Sequence, residues 1–270
     1  MANTLKRIKS SIESEFLKNF NSLMTQRAAW EVWADFVSVV AISISNAIDK
    51  SHFKVREKDY FTIQSKYNKE EMSIILNLFS LTVMALESDP WQDFLGKLYM
   101  SLDLGNHWKG QFFTPYDLTK MMAKITIRDL KQRISEKGFV SVNDCACGAG
   151  ATLIAVAEEA YMQLNETGYN WQNHIVFYAQ DIDPITAKMC YIQLSLLGCA
   201  GVVKIGDSLS DPMRIGEDDR NYWYTPMWFS DVWYYRRLWH RMGEFIKRGS
   251  NKSTFTTNKH YYLYYYEEGQ

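Results

Sequence analysis

The sequence predicts an α/β protein in which a helical N-terminal module precedes a doubly wound parallel sheet. Two observations support this fold class. Residues 1–100 show helical periodicity and contain one proline and one glycine, Pro90 and Gly96, and such scarcity of turn residues favours packed helices. From residue 118 onward, short β-branched segments alternate with helical ones, which is typical of parallel strands joined by crossover helices.

The helical module is assigned to residues 1–108 and contains two long amphipathic segments. In the first, apolar residues recur at three- and four-residue steps and predict one buried helix face. Its members are Ala28, Ala29, Trp30, Val32, Trp33, Phe36, Val37, Val40 and Ile44. The second segment has the same pattern at Ile74, Ile75, Leu78, Leu81 and Leu86. The apolar runs at 36–48 and 72–86 are shorter than the roughly 18–20 residues of a membrane span, so buried helices and no membrane contact are expected.

The second part, residues 109–270, carries the predicted sheet. Its elements are a helix over 118–135, strands over 139–144, 174–179 and 201–205, and helices over 151–164 and 184–197. Strand, helix, strand, helix, strand in this order predicts a parallel sheet with ligands bound at the carboxyl ends of its strands.

Charge and cysteine content exclude several classes of protein. Thirty Lys and Arg against 31 Asp and Glu give a net charge of −1, which excludes a wholly basic nucleic-acid binder. Cys145, Cys147, Cys190 and Cys199 form no pair of CxxC motifs, so neither a zinc ribbon nor a disulfide framework is indicated, and no metal is expected. Residues 1–16 lack the apolar stretch of a signal peptide, and a reducing, cytoplasmic setting is therefore expected.

A glycine turn follows the first predicted strand, in the segment DCACGAG at 144–150. Glycines allow close backbone approach to a ligand, and the N-terminus of the helix that follows favours negative charge. The spacing differs from GxGxxG and does not indicate a nicotinamide site. A plain strand-to-helix turn is the alternative.

Acidic residues end all three predicted strands, at Asp144, Asp181 and Asp207. Because parallel strands end at the same edge of a sheet, these carboxylates are expected to lie near one ligand. A carboxylate in this position can accept hydrogen bonds from ribose hydroxyls. Each acid alone is also explained as a helix cap. Upstream, Thr114 in GQFFTP (110–115) is either such a cap, with Pro115 opening the helix, or a ligand contact.

Taken together, GQFFTP, DCACGAG, AQDIDP at 179–184 and GDSL at 206–209 resemble the N6-adenine DNA methyltransferases. The closest resemblance is to the modification (M) subunits of type I restriction-modification systems, over residues 20–210. It implies a Rossmann-like domain that binds S-adenosylmethionine. By resemblance, Phe113, Thr114, Gly148 and Gly150 hold the methionine moiety and Asp144 its amino end. Asp181 binds the ribose, Ile182 packs on the adenine, and Asp207 accepts from the adenine amino group.

The chain departs from this family at the catalytic motif, which is Asn/Asp/Ser-Pro-Pro followed by an aromatic residue. In the family, this motif accepts hydrogen bonds from the target amino group and stacks on the flipped base. The candidate at the corresponding distance is Thr225-Pro226-Met227-Trp228, with Thr225, Pro226 and Trp228 in the catalytic roles. Two functions stay open: an adenine-specific DNA methyltransferase, or a degenerate relative that binds the cofactor and DNA or a partner subunit. Transfer to RNA or protein is a further alternative.

The segment after Trp228 is shorter than the family's remaining sheet, so a sheet truncated at its C-terminal end is expected. Residues 230–260 contain seven basic residues: Arg236, Arg237, Arg241, Lys247, Arg248, Lys252 and Lys259. Trp233, Tyr234, Tyr235 and Trp239 lie between them. This pattern indicates a DNA-backbone surface with stacking platforms, aromatic residues covering an incomplete sheet, or an interface with a specificity-type subunit.

Overall fold

The computed structural model describes residues 2–104, 113–214 and 219–250. Five helices form the N-terminal module: α1 (Ala2–Leu23), α2 (Ala29–Ile48), α3 (Phe53–Gln64), α4 (Lys69–Ser88) and α5 (Phe94–Ser101). The helical character predicted for this part of the chain is confirmed. The predicted boundary between residues 108 and 109 lies outside the described residues and stays a prediction.

Helix α2 is the central helix of the module. Its Trp33 and Phe36 are buried, and Phe36 packs edge-on against Phe16 of α1 with ring centroids 5.5 Å apart. Phe16 also contacts Phe94 at 5.8 Å, so aromatic packing joins three helices. The predicted buried face of α2 is wrong at Ala28 and Trp30. Ala28 is exposed at the N-cap position, and Trp30 is 67% exposed because it lies in the first turn of the helix.

Helices α2 and α4 are long and apolar enough to cross a membrane by length and composition alone. In the structure, α2 packs against α3 and α9, and α4 packs against α1. The buried apolar residues of both helices belong to one continuous hydrophobic core.

The remaining elements build the sheet and its cover. They are α6 (Tyr116–Thr126), α7 (Leu130–Lys137), β1 (Val140–Asp144), α8 (Ala151–Leu164), β2 (Ile175–Asp181), α9 (Pro184–Leu196), β3 (Ala200–Ile205), β4 (Tyr222–Tyr224) and α10 (Asp231–Ser250). The strand order is β1-β2-β3-β4. Strands β1, β2 and β3 are parallel, as predicted, whereas β4 pairs antiparallel to β3.

One predicted helix is two helices in the structure. The periodicity of 118–135 predicts a single amphipathic helix, but α6 ends at Thr126 and α7 begins at Leu130. Asp129 adopts a left-handed backbone with φ +55°, and Ile127 is buried. The chain therefore turns at this point to bury Ile127 rather than continue the helix.

The two faces of the sheet are covered differently. Ile175, Phe177 and Ala179 of β2 face the large core shared with the N-terminal module. Val176 and Tyr178 face the other side, where Trp233 of α10 covers them, since alternate residues of a strand point to opposite faces. The interpretation that aromatic residues of the C-terminal segment cover the sheet is thus confirmed for Trp233.

Candidate functional site

A cleft of about 490 Å³ opens at the carboxyl ends of β1 and β2. The predicted cofactor residues that line it are Phe113, Thr114, Gly148, Asp181 and Ile182. The cleft is also lined by Asp93, Cys147, Ala149, Asp183 and Thr186, among others. The structure therefore brings together residues separated by up to 93 positions in the sequence, at the edge where parallel sheets bind ligands.

The glycine turn between β1 and α8 forms the floor of the cleft. Gly150 has φ +96° and precedes the first residue of α8, and a Cβ atom at this position would lie 2.9 Å from Sγ of Cys190. Both the backbone angle and the close neighbour exclude a side chain. Gly150 itself is not among the described residues that line the cleft, whereas Ala151 and Thr152 at the start of α8 are. A helix N-terminus is favourable for a negatively charged group.

Asp181 fixes this turn to the end of β2. Its Oδ2 accepts a hydrogen bond of 2.7 Å from the backbone N–H of Gly148. Its Oδ1 accepts from the backbone N–H of Asp183 at 2.9 Å and from Oγ1 of Thr186 at 3.1 Å. A carboxylate has about four acceptor positions, so Asp181 keeps acceptor capacity for a ligand hydroxyl while it holds the turn.

Phe113 and Thr114 form the wall opposite the turn. The ring of Phe113 stacks on Tyr99 of α5 with centroids 5.6 Å apart. Its Cε1 atom lies 3.3 Å from where a Cβ of Gly148 would be, so the ring closes over the turn. Thr114 is exposed. The alternative in which Thr114 caps the next helix is wrong, because Pro115 occupies the N-cap position of α6 and no side chain bonds there.

Two of the predicted acids do not line the cleft in the described part of the chain. Oδ1 of Asp144 accepts from the backbone N–H of Ala146 at 3.1 Å, and burial raises the pKa of this carboxyl, with a smaller increase from the charge of Asp181. Asp207 accepts from the N–H of Leu209 and from Oγ of Ser210, both at 2.9 Å. These bonds lower the pKa of Asp207. Its carboxylate is thus engaged in its own loop.

The predicted catalytic tetrapeptide lies at the opposite end of the sheet. Tyr224 pairs with Val202, so the residues that follow Tyr224 lie beside the start of β3, whereas the cleft is beyond its end. From Gly201 to Ile205 the strand spans roughly 13 Å at 3.3 Å per residue. Thr225 is fully buried. Its hydroxyl donates to the carbonyl of Cys199 at 2.6 Å and accepts from the N–H of Gly201 at 2.9 Å.

Pro226 and Trp228 share this location. Pro226 opens a short 3₁₀ turn that extends to Phe229. The Trp228 ring packs against Tyr178 and Tyr224, at 6.2 and 5.5 Å between centroids. The structure therefore does not bring Thr225, Pro226 or Trp228 to the cleft. Their catalytic assignment, made by resemblance, has no support in this geometry, because β4 runs antiparallel at the far edge of β3.

At Arg236 and Arg237 the structure differs from the DNA-surface interpretation. The side chains of the other five predicted basic residues, Arg241, Lys247, Arg248, Lys252 and Lys259, lie outside the described residues, and their role stays a prediction. Trp233 is buried and donates its indole N–H to the carbonyl of Gln172 at 2.9 Å. Arg236 donates to the carbonyl of Gly138 at 2.7 Å, and Arg237 donates to the carbonyl of Trp228 at 2.6 Å. These hydrogen bonds join α10 to the segments that precede β1 and β2 and to the turn that follows β4. Tyr234, Tyr235 and Trp239 are exposed. Among the described aromatic residues of α10, the predicted stacking role is therefore compatible with these three.

One cleft residue, Asp93, was not predicted from the sequence. It is the N-cap of α5, where its Oδ1 accepts from the N–H of Gly96 at 2.9 Å. A signal does exist, since an aspartate directly before an apolar helical segment is typical of an N-cap. That signal does not indicate a ligand, because it is fully explained by the helix.

Known proteins similar to this chain are the following. Residues 93–262, more than half of the chain, match the family model described as N-6 DNA methylase. The Type I restriction enzyme MjaIX methylase subunit of Methanocaldococcus jannaschii is 27% identical over 153 residues, which are 55% of this chain and 25% of that protein. The chain thus spans about a quarter of its length. A solved structure from Listeria monocytogenes, described as a candidate class I S-adenosylmethionine-dependent methyltransferase, has a TM-score of 0.37 at 14% identity, covering 74% of this chain and 55% of that one.

Proposed function

Because the chain belongs to the N-6 DNA methylase family, we propose that it binds S-adenosylmethionine in the cleft. It would do so as the cofactor-binding part of a DNA methylase that acts on the adenine amino group. The observation that carries this proposal is the charge of the cleft. Three carboxylates, from Asp93, Asp181 and Asp183, line it, and none of the described lining residues is Lys, Arg or His.

This charge distribution fits S-adenosylmethionine better than a phosphate-bearing nucleotide. The cofactor carries a sulfonium and an ammonium group, and an acidic cleft attracts both. A nucleotide phosphate would be repelled by the same carboxylates and would find no basic side chain among the described lining residues. The single negative group of the cofactor, its carboxylate, is matched by the N-terminus of α8.

Each part of the cofactor has a matching surface. The glycine turn and the wall of Phe113 and Thr114 would hold the methionine moiety, and Asp181 would accept from a ribose hydroxyl. Ile182 lines the cleft and is 70% exposed, so it offers an apolar surface to the adenine ring. Removing that exposed apolar surface from water favours binding.

The bound cofactor supplies an activated methyl group, and direct transfer then depends on how the acceptor amino group is positioned. The segment Thr225–Trp228 lies at the other end of the sheet and offers no acceptor contact at the cleft. We propose that this chain alone binds cofactor without transferring methyl groups, and that acceptor positioning comes from other parts of an assembly with DNA. A similar protein is named as a subunit of a type I restriction enzyme, which favours such an assembly.

The cofactor proposal is tested by calorimetric titration with S-adenosylmethionine, with ATP as an anionic control ligand. We expect micromolar binding of S-adenosylmethionine and none of ATP. Ile182→Ala should weaken binding severalfold without unfolding the chain, because Ile182 is exposed. Leu209→Ala is the matched control, since Leu209 is 93% exposed and does not line the cleft. A folded wild-type chain that binds no S-adenosylmethionine would refute the proposal.

Methyl transfer is tested with labelled cofactor and adenine-containing DNA. The variant Thr225→Asn/Met227→Pro restores the family tetrapeptide in sequence. We expect no transfer by either the wild-type chain or this variant, because the segment lies at the wrong end of the sheet. Transfer by the wild-type chain would identify a complete adenine methyltransferase, and transfer by the variant alone would place the segment at the acceptor site.

A further inference from the structure

Asp93 differs from the other two acids of the cleft in how its oxygens are used. Oδ1 accepts two hydrogen bonds, from the N–H of Gly96 at 2.9 Å and from Nε2 of Gln193 at 2.8 Å. Oδ2 has no hydrogen bond to any described residue. Asp93 also lines a second cavity together with Gly96, against which its carboxyl packs. Lys97 is the only basic residue among the described lining residues of that cavity, and it is paired with Glu13.

Gln193 places Asp93 next to the glycine turn. The same Nε2 that donates to Asp93 donates to the carbonyl of Ala149 at 2.8 Å. The amide oxygen of Gln193 accepts from the N–H of Leu95 at 3.1 Å. Gln193 is fully buried, so the position of Asp93 relative to the turn is fixed from both sides.

The alternative acid for a positive ligand group at this point is Asp144, which the family resemblance assigns to the amino end of the methionine. Asp144 does not line the cleft in the described part of the chain, whereas Asp93 does. Asp181 accepts three hydrogen bonds, one from Gly148 of the turn and two from Asp183 and Thr186. Asp183 caps α9 by accepting from the N–H groups of Ile185 and Thr186, at the Ile182 side of the cleft.

We propose that Oδ2 of Asp93 binds the α-ammonium group of S-adenosylmethionine, so that a residue of the N-terminal helical module completes the cofactor site. This inference rests on the proposed function. Asp93 lines the cleft and is fixed beside the glycine turn by Gln193, and its Oδ2 accepts no hydrogen bond from the described residues. An ammonium group has three donors, and a single rigid carboxylate oxygen beside an apolar wall suits one of them.

The protonation of Asp93 agrees with this role. Burial raises the pKa of its carboxyl, although the bonds from Gln193 and Gly96 act in the opposite direction. The carboxylate is thus poorly solvated and has no cationic partner among the described residues. A bound ammonium group would supply that partner, and charge-assisted hydrogen bonds of this kind are among the stronger ones.

The experiment compares three ligands by calorimetry on the wild-type chain and on Asp93→Asn. S-adenosylmethionine carries both the sulfonium and the ammonium group, S-adenosylhomocysteine carries the ammonium alone, and 5′-methylthioadenosine carries neither. Asparagine keeps the helix cap. We expect Asp93→Asn to lower the affinity for S-adenosylmethionine and S-adenosylhomocysteine by about tenfold or more. Its affinity for 5′-methylthioadenosine should stay within about twofold of the wild-type value.

Asp183→Asn is the matched control, because it removes the same charge from the same cleft and also keeps a helix cap. It should weaken S-adenosylhomocysteine clearly less than Asp93→Asn does. Equal losses in the two variants would show a diffuse charge effect and overturn the inference. If Asp93→Asn loses binding of S-adenosylmethionine alone, Asp93 lies at the sulfonium. If it loses binding of all three ligands, Asp93 has a structural role. Either result overturns the inference.

The failure of the proposed function gives a different result. If the wild-type chain binds neither S-adenosylmethionine nor S-adenosylhomocysteine, the function and the inference fail together. If the wild-type chain binds both and Asp93→Asn binds them equally well, the inference alone fails. Should Asp93→Asn not fold, Asp93→Ser takes its place, since serine also caps helices and removes the charge.

Discussion

The two ends of the sheet use similar polar residues for opposite purposes. At the carboxyl ends of β1 and β2, the carboxylates of Asp93, Asp181 and Asp183 line an open cleft, and those of Asp93 and Asp181 retain acceptor capacity. At the other end, the hydroxyl of Thr225 is consumed by backbone groups of Cys199 and Gly201. The position of Thr225–Trp228 in the sequence therefore does not establish its position in the site. Because β4 runs antiparallel to β3, the segment that follows β4 lies at the end of the sheet opposite the cleft.

The largest loss of stability is expected from a substitution of Arg56, which contacts β4. Its guanidinium pairs with Asp49 at 2.8 Å, donates to the carbonyl of Tyr222 at 2.6 Å, and lies 4.0 Å from the ring centre of Trp223. Arg56→Met leaves the buried Asp49 carboxylate without this partner, which should lower the free energy of unfolding by about 3–5 kcal/mol. Urea unfolding followed by circular dichroism measures this.

Lys54→Met is the control for that prediction, because Lys54 lies exposed on the same helix. It should change the free energy of unfolding by less than about 0.5 kcal/mol. A loss below about 1 kcal/mol for Arg56→Met would show that β4 is held at the edge of the sheet by other contacts, and the contrast between the two ends would weaken.

The next largest effect is expected at Gly150, on the cleft side. Gly150→Ala imposes a left-handed backbone on alanine, at roughly 1–2 kcal/mol, and drives a methyl group towards Cys190. The combined loss should reach about 2–4 kcal/mol, and binding of S-adenosylmethionine should be abolished. Gly168→Ala separates the two costs, since Gly168 has φ +80° with nothing within 4 Å of its would-be Cβ. Equal melting temperatures for the two variants would argue against the crowding.

A matched pair of threonines tests the comparison directly. Thr225→Val removes a buried hydroxyl and leaves the N–H of Gly201 without that acceptor, so unfolding should become easier by about 1–3 kcal/mol with cofactor affinity unchanged. Thr114→Val, at the exposed cleft wall, should leave stability nearly unchanged and weaken the cofactor severalfold. Thermal melts and titrations of both variants check this. The reverse pattern would contradict the assignment of the two ends.

The smallest expected effect is the contribution of Asp93 to the pH dependence of stability. Because burial raises the pKa of this carboxyl in the folded chain, the folded state holds the proton more tightly than the unfolded state. Stability is therefore lost as pH rises through the ordinary aspartate pKa, about 3.9, towards the raised value. Without ligand, Asp93→Asn should melt slightly higher than the wild type at pH 7.5. The two should converge when the pH falls below the ordinary value, and a lower melting temperature at pH 7.5 would contradict this.

Local sequence patterns predicted the parallel part of the sheet well. Helix α8 has the predicted bounds, and β2 differs by one residue at its start and two at its end, because strand and helix periodicities are local properties. The acid at the end of β2, Asp181, lines the cleft as expected. The break at Asp129 was missed, because it depends on the burial of Ile127 against tertiary neighbours.

The direction of β4 could not be predicted from its three residues, Tyr222–Tyr224. In the structure, β4 accepts a hydrogen bond from Arg56 and is followed by Thr225, which bonds to Cys199 and Gly201, and these contacts join residues far apart in the sequence. Asp93 was missed for a related reason. Its cap role is visible in the sequence, but its proximity to Ala149 depends on Gln193, a hundred positions downstream. Sites assembled across a fold in this way are recognised only in three dimensions.

Gln193 has a consequence for how the two parts of the chain communicate. Because one buried amide joins the start of α5 to the glycine turn, docking of α5 and binding of the cofactor are thermodynamically linked. Reciprocity requires that a bound cofactor stabilise the docking of α5 by the same free energy by which docking improves affinity. Hydrogen exchange at α5 amides should therefore slow when the cleft is occupied, which makes a helix of the N-terminal module a reporter of occupancy.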